Sequence, residues 1–136
     1  MYISETKIRV RYAETDQMNV VYHGNYAQYF EVGRVESIRQ LGLSYKDVEA
    51  MGVIMPVIEW TAKFLRPAHY DDLLTVRTTL KELPQGHRIE FIQEIYNEEG
   101  RLLTAGKVLL YFLLAGTMEK ATMPQLMAER LKTYFS

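Results

Sequence analysis

Asp16, Tyr22, His23, Asn25 and Tyr26 place five polar or amphipathic side chains within eleven consecutive positions of the segment YAETDQMNVVYHGNY, directly ahead of a long apolar run. Asp16 is the residue on which chemistry would turn. A loop carboxylate can attack a carbonyl carbon or take a proton from an attacking water. His23, Gly24 and Asn25 are small or cap-forming residues, so a helix N-terminus is expected at residues 23 to 26. The free N–H groups and positive dipole end of that helix would stabilise the oxyanion formed when a thioester or ester carbonyl is attacked. A carboxylate base or nucleophile beside an oxyanion hole is an acyl-transfer site in outline. Asp and Asn in loops more often make local turns to the backbone. The density of the segment is what tips Asp16 toward chemistry, because structural loops rarely need so many such groups.

The elements that must hold these residues follow from periodicity. Ile8, Val10 and Tyr12 alternate with Lys7, Arg9 and Arg11, which predicts a half-buried strand over Lys7 to Ala13 with Asp16 in the loop that leaves it. Asn19 in that loop tolerates positive φ. The run from Tyr26 to Leu41 carries apolar residues on several faces, which predicts a central helix buried nearly all round. Gly42 is suited to end it, Ser44 with Asp47 opens a short second helix, and Gly52 closes that one. From Val57 the period becomes two. Strands are predicted from Val57 to Phe64, Leu74 to Leu80, His87 to Tyr96 and Leu102 to Leu114, followed by a C-terminal amphipathic helix opened by Thr122 and Pro124. Short turns between long strands make neighbours antiparallel. One such sheet with one helix keeps open edges and a partly apolar face, and both invite self-association.

The string Y-x-x-x-D-x-x-x-x-V-Y-H-x-N-Y, occupied by Tyr12, Asp16, Val21, Tyr22, His23, Asn25 and Tyr26, resembles the hotdog-fold acyl-CoA thioesterases of the 4-hydroxybenzoyl-CoA thioesterase type. The resemblance continues through YFEVGRVESIRQLGL and FLRPAHYDDLLTV, so it spans most of the chain. It implies an α+β hotdog fold, an antiparallel sheet wrapped around a long central helix. It also implies hydrolysis of an acyl-CoA thioester without cofactor or metal, with Asp16 as nucleophile or general base and the backbone amide of His23 polarising the carbonyl. Asn19 stands where the family usually has Gly. The resemblance further implies that two sheets pair into a continuous dimer, often dimerised again to a tetramer, with active sites at the interface. Tyr22, Gly24, Asn25, Tyr26, Tyr29 and Trp60 are the candidates to contact the substrate, although aromatic residues at these spacings are more often core.

The other polar candidates have plainer readings. Glu31 and Arg34 are spaced for an intrahelical ion pair. Asp71 and Asp72, with His69, fit a solvated turn better than a metal site. Lys63, Arg66, Arg88 and Lys107 could meet CoA phosphates, though each alone is an ordinary surface charge. A hotdog hydratase or dehydratase would pair a His with a carboxylate, as His23 with Asp16 or Glu36 could imitate. A non-catalytic acyl-CoA-binding module is the other alternative.

The bulk properties agree with a single domain over residues 1–136. The chain is 48% hydrophobic and 24% charged, with a formal net charge of −1. Without a basic run, nucleic acid or a membrane surface is not the expected partner. The absence of cysteine excludes disulfides, thiolate catalysis and Cys-ligated zinc. The stretch MYISETKIRV is too polar for a signal peptide and Val108 to Ala115 too short to span a bilayer, so a cytoplasmic protein is expected.

Overall fold

The computed structural model describes residues 1–135. Five strands form one antiparallel sheet: β1 (Tyr2–Arg9), β3 (Val57–Phe64), β4 (Leu73–Leu80), β5 (Arg88–Tyr96) and β6 (Leu102–Tyr111), in the order β1-β4-β5-β6-β3. Helix α1 (Tyr26–Arg39) lies against it, contacting β1, β4 and β5. A short helix α2 (Tyr45–Ala50), the two-residue strands β2 (Val53–Ile54) and β7 (Leu113–Leu114), which pair with each other, and α3 (Gln125–Lys132) complete the chain. This is the α+β hotdog architecture.

Period-two burial holds the sheet to the helix. Leu74, Val76, Thr78 and Leu80 of β4 and Ile89, Phe91, Gln93 and Ile95 of β5 are all buried. Helix α1 answers with Tyr26, Tyr29, Phe30, Gly33, Arg34, Ser37 and Ile38, a stripe at spacings of three and four. Gly33 lets the helix approach the sheet closely. A Cβ there would sit 2.6 Å from Val76 Cγ1 and 2.8 Å from Gln93 Nε2, inside any tolerable contact.

Four expectations are corrected. The helix is not buried all round: Ala27, Gln28, Glu31 and Val32 face out of this single chain. One sheet can cover only one stripe, and Gly33, Arg34 and Ser37 on that stripe blur its apolar pattern. The first strand begins at Tyr2, where inward Ser4 and Thr6 hide the alternation, and ends at Arg9. Beyond it the chain turns through a 3₁₀ turn at Tyr12–Glu14, which leaves Tyr12 77% exposed. The last strand breaks at Phe112, whose N–H donates to the His87 carbonyl (2.8 Å), because Leu113 and Leu114 leave the main sheet to pair with β2. Glu31 and Arg34 form no ion pair among the described residues. Arg34 instead turns inward, is 6% exposed, and donates to Gln93 Oε1 (3.1 Å).

The helix ends follow the sequence. Gly42 takes φ 89° after α1, and Ser44 with Asp47 forms a reciprocal capping box at α2, with bonds of 2.9 and 3.0 Å. Arg130 of α3 donates to the Leu41 carbonyl (2.9 Å) and so satisfies an acceptor at the end of α1.

Candidate active site

The loop between β1 and α1 is held by its own backbone. Asp16 N–H donates to the Val20 carbonyl (2.9 Å), and Asn19 N–H donates to the Asp16 carbonyl (3.0 Å). Asp16 Oδ1 accepts from Met18 N–H (2.9 Å), the local turn that its residue type favours. Asn19 adopts φ 64°, the left-handed conformation that Asn tolerates better than other non-glycine residues. A second set of bonds docks the loop on the segment after β3: Val21 N–H donates to the Ala68 carbonyl (2.8 Å), and Val20 bridges to His69.

The chain then makes a 3₁₀ turn at His23–Asn25 that runs directly into α1 at Tyr26. Within the turn, Asn25 N–H donates to the Tyr22 carbonyl. The N–H groups of His23 and Gly24 have no acceptor among the described residues. They are the first donors of the composite helix, at its positive end.

A cavity of about 250 Å³ opens between this loop and the end of β3. Asp16, His23 and Tyr26 line it together with Met18, Phe64 and Arg66. One carboxylate, the residue that opens the turn with the free N–H groups, and an apolar wall therefore share one space. A carbonyl placed there could meet a nucleophile on one side and oxyanion donors on the other. Burial raises the pKa of the Tyr26 phenol, so this wall of the cavity stays neutral.

The remaining candidates fall in different places. Gly24 lies against the Tyr22 ring, where a Cβ would come within 2.7 Å of Cε2. Asn25 Nδ2 donates to the Glu14 carbonyl (2.9 Å), a framing bond rather than a contact with the cavity. Tyr22 is half exposed and packs at a tilt against the His23 ring, centroids 4.4 Å apart, outside the cavity lining. Trp60 also lies outside it, packed edge-on against Phe30 at 5.6 Å with a buried Nε1 that lacks a partner among the described residues. Tyr29 is not part of the cavity lining and donates its hydroxyl to Glu14 Oε1 (2.8 Å). The His23 ring is not hydrogen-bonded to Asp16 or Glu36, so the paired acid and base of a hydratase are not assembled among the described residues. His69 and Asp72 form a turn in which Asp72 Oδ2 accepts from His69 N–H (2.8 Å).

Glu14 is the residue that sequence reasoning missed. It is 7% exposed, and its carboxylate accepts from Arg11 N–H (2.9 Å), Arg11 Nε (3.2 Å), Arg11 Nη2 (3.0 Å) and Tyr29 O–H (2.8 Å). Burial by itself would raise the Glu14 pKa, but these donors outweigh it and hold the carboxyl below its ordinary range. Burial and the adjacent Glu14 charge raise the pKa of Tyr29, which therefore stays a donor. The only sequence signal was the three-residue spacing from Arg11, and the match with Tyr29 exists only after folding. Phe64 and Met18 were also missed, because an exposed apolar residue carries no functional signature in sequence.

Comparison with known proteins places the chain. The sequence profile of the thioesterase-like superfamily matches residues 10–131. The Escherichia coli acyl-CoA thioester hydrolase YbgC is 30% identical over 125 residues, covering 92% of each chain. Bacillus subtilis YneP is 41% identical over 102 residues, covering 75% of this chain and 73% of its own. Among solved structures, the DHNA-CoA thioesterase from Staphylococcus aureus superposes with a TM-score of 0.88 at 36% identity, over 98% of this chain and 89% of that one. The matched region carries both the Asp16 loop and the central helix, and the chain belongs to the thioesterase-like superfamily.

Proposed function

We propose that in this acyl-CoA thioesterase Asp16 supplies the reacting carboxylate and the N–H groups of His23 and Gly24 hold the oxyanion. The observation that carries the reading is the shared cavity: Asp16 and His23, the first residue of the turn with two unsatisfied N–H groups, border the same 250 Å³ space, and Gly24 follows directly. In the nucleophilic route the free oxygen of Asp16 attacks the thioester carbonyl, and charge moves to the carbonyl oxygen facing the amides. Collapse breaks the C–S bond and releases CoA thiolate, leaving an acyl–aspartyl anhydride. Water then hydrolyses the anhydride to the free acid and restores the carboxylate. In the general-base route Asp16 takes a proton from water as that water attacks. Either route gives free acid and CoA. A thiolate is a far weaker base than an alkoxide and leaves without a strong acid, so no metal or cofactor is invoked.

Residues 1–136 are proposed to act as one domain. The cavity is sized for the reacting thioester and a neighbouring part of the acyl chain, with Tyr26 and Phe64 as its apolar walls. Among the described residues, Arg66 at its rim is the one Arg or Lys side chain on this cavity and could meet a phosphate of the CoA handle, whereas the adjoining hollow that Arg66 shares with Arg101 is also lined by Asp72, Glu98 and Glu99 and does not suit an anion. Homodimer or homotetramer formation is part of the proposal, because β3 is an edge strand and Val57, Ile58 and Phe64 on it are each about half exposed. Phe64 belongs to both that edge and the cavity, so pairing would enclose the site. Among the described residues no helix is long and apolar enough to cross a membrane, and the proposed location is the cytoplasm.

The test is thiol release across aromatic, short-chain and long-chain acyl-CoA substrates, for the wild type and for Asp16→Asn. Turnover of at least one class, abolished or nearly so by Asp16→Asn, is the expected result. Wild-type turnover by a folded Asp16→Asn protein would remove Asp16 from the mechanism.

A further inference from the structure

We propose that Glu14 is a positioning residue that sets the distance between the Asp16 carboxylate and the oxyanion amides, an inference that rests on the roles given to those groups above. Glu14 lies two residues before Asp16 and reaches both sides of the site through six hydrogen bonds. Its carboxylate accepts four, from the Arg11 main chain, two guanidinium nitrogens of Arg11, and the Tyr29 hydroxyl. That fills the roughly four lone-pair sites of a carboxylate, so Glu14 has none left to act as a base. Its main-chain carbonyl accepts two more, from Tyr22 N–H (2.9 Å) and Asn25 Nδ2 (2.9 Å).

These bonds connect the two halves of the site. Tyr22 immediately precedes His23, and Asn25 ends the turn that presents the His23 and Gly24 amides. Tyr29 stands one turn into α1, buried against the core. The side chain of Glu14 thus ties the start of the Asp16 loop to the rigid helix, while its carbonyl ties the oxyanion turn to the same residue. Movement of either half relative to the other must break bonds at Glu14. Without it, Asp16 would be held by its own turn, the bonds of Thr15 to the Tyr12 carbonyl, and the contacts of Val20 and Val21.

Glu14→Gln isolates the effect, because it keeps size and the main-chain carbonyl but opposes an amide donor to either the Arg11 guanidinium or the Tyr29 hydroxyl and Arg11 N–H. Tyr29→Phe removes a single donor and serves as the second variant if Glu14→Gln does not fold. The experiment measures kcat and KM for one acyl-CoA, well below each variant's melting temperature, for Glu14→Gln, Tyr29→Phe, the double variant and Asp16→Asn. Misplacing reacting groups by about an ångström costs on the order of 10²-fold, so Glu14→Gln is expected to lower kcat by about 10- to 100-fold. KM should stay within about threefold, since Glu14 does not border the cavity. Tyr29→Phe should lower kcat by about three- to tenfold, and the double variant should be no worse than Glu14→Gln, because residues in one network are not additive.

The outcomes separate the inference from the reading beneath it. If Asp16→Asn is inactive while Glu14→Gln and Tyr29→Phe both keep wild-type kcat, the positioning role is overturned and the Asp16 assignment stands. If Asp16→Asn is fully active, the assignment falls and the positioning of Asp16 falls with it, whatever Glu14→Gln does. A loss in Glu14→Gln that appears only in melting temperature, or only in KM, also overturns the role.

Discussion

Asp16 divides its two oxygens between structure and chemistry. Oδ1 holds Met18 N–H and with it the turn, while Oδ2 has no protein partner among the described residues. An amide can keep the first role and not the second. Asp16→Asn should therefore retain the fold and substrate affinity while turnover falls by about 10² to 10⁴, the range for losing an acid–base or nucleophilic group. Steady-state thiol release, with circular dichroism for the fold, checks this. His23→Ala should cost far less, because the proposed donor is its main-chain N–H and truncation leaves that in place. A loss as large as that of Asp16→Asn would instead give the imidazole an acid–base role. Glu14 makes a separate prediction about pH. Its folded pKa lies below the ordinary carboxyl value of 4.5, so its contribution to stability is complete above that value and is lost as pH falls through the lower, folded pKa. The melting-temperature gap between wild type and Glu14→Gln should be constant near neutrality and narrow progressively below about pH 4.5. A gap that widens with acid would mean that the carboxylate is not the favoured folded form.

At the scale of elements, the sheet and α1 fit by means of small residues where they come closest. Gly106 on β6 faces β3, and a Cβ there would collide with the Thr61 carbonyl oxygen and lie 2.9 Å from Phe30 Cε2. A main-chain oxygen cannot rotate away, so β3 would have to shift. Gly106→Ala should destabilise by about 1–3 kcal/mol, the usual cost of overpacking, despite the better strand entropy of Ala. Urea unfolding measures it, and an unchanged midpoint would show that the edge strand yields freely. Because β3 carries Phe64 at its end, the same substitution should also reduce turnover more than a comparable destabilisation placed on β1, away from the cavity.

The whole molecule leaves surface uncovered in ways that one chain does not resolve. β3 has an unpaired edge, Val57 and Ile58 are half exposed along it, and Val32 faces out of α1. An edge of this kind recruits another strand unless charge blocks it. We expect a dimer or tetramer at micromolar concentration by light scattering. Ile58→Asp should lower both the assembly state and activity while secondary structure is kept, since the edge and the cavity share β3. A fully active monomer would refute the shared site.

What the sequence determined by itself was everything that depends on neighbours along the chain. The alternation of Leu74, Val76 and Leu80, the capping pair Ser44 and Asp47, and the left-handed tolerance of Asn19 are local, and each is where its residue types require. The spacing from Asp16 to His23 is local too, and it placed both on the same short segment before α1. Tertiary structure decided what depends on partners far apart in sequence. Arg34 was spaced for Glu31 but reaches Gln93 of β5, because the helix face it occupies is the one the sheet covers. Trp60 looked like pocket lining and packs on Phe30 instead, while Phe64, four residues on along the same strand face, borders the cavity where β3 meets the loop. Glu14 offered the sequence no more than its spacing from Arg11, because its significance lies in Tyr29, fifteen residues away and brought to 2.8 Å only when α1 docks on the sheet.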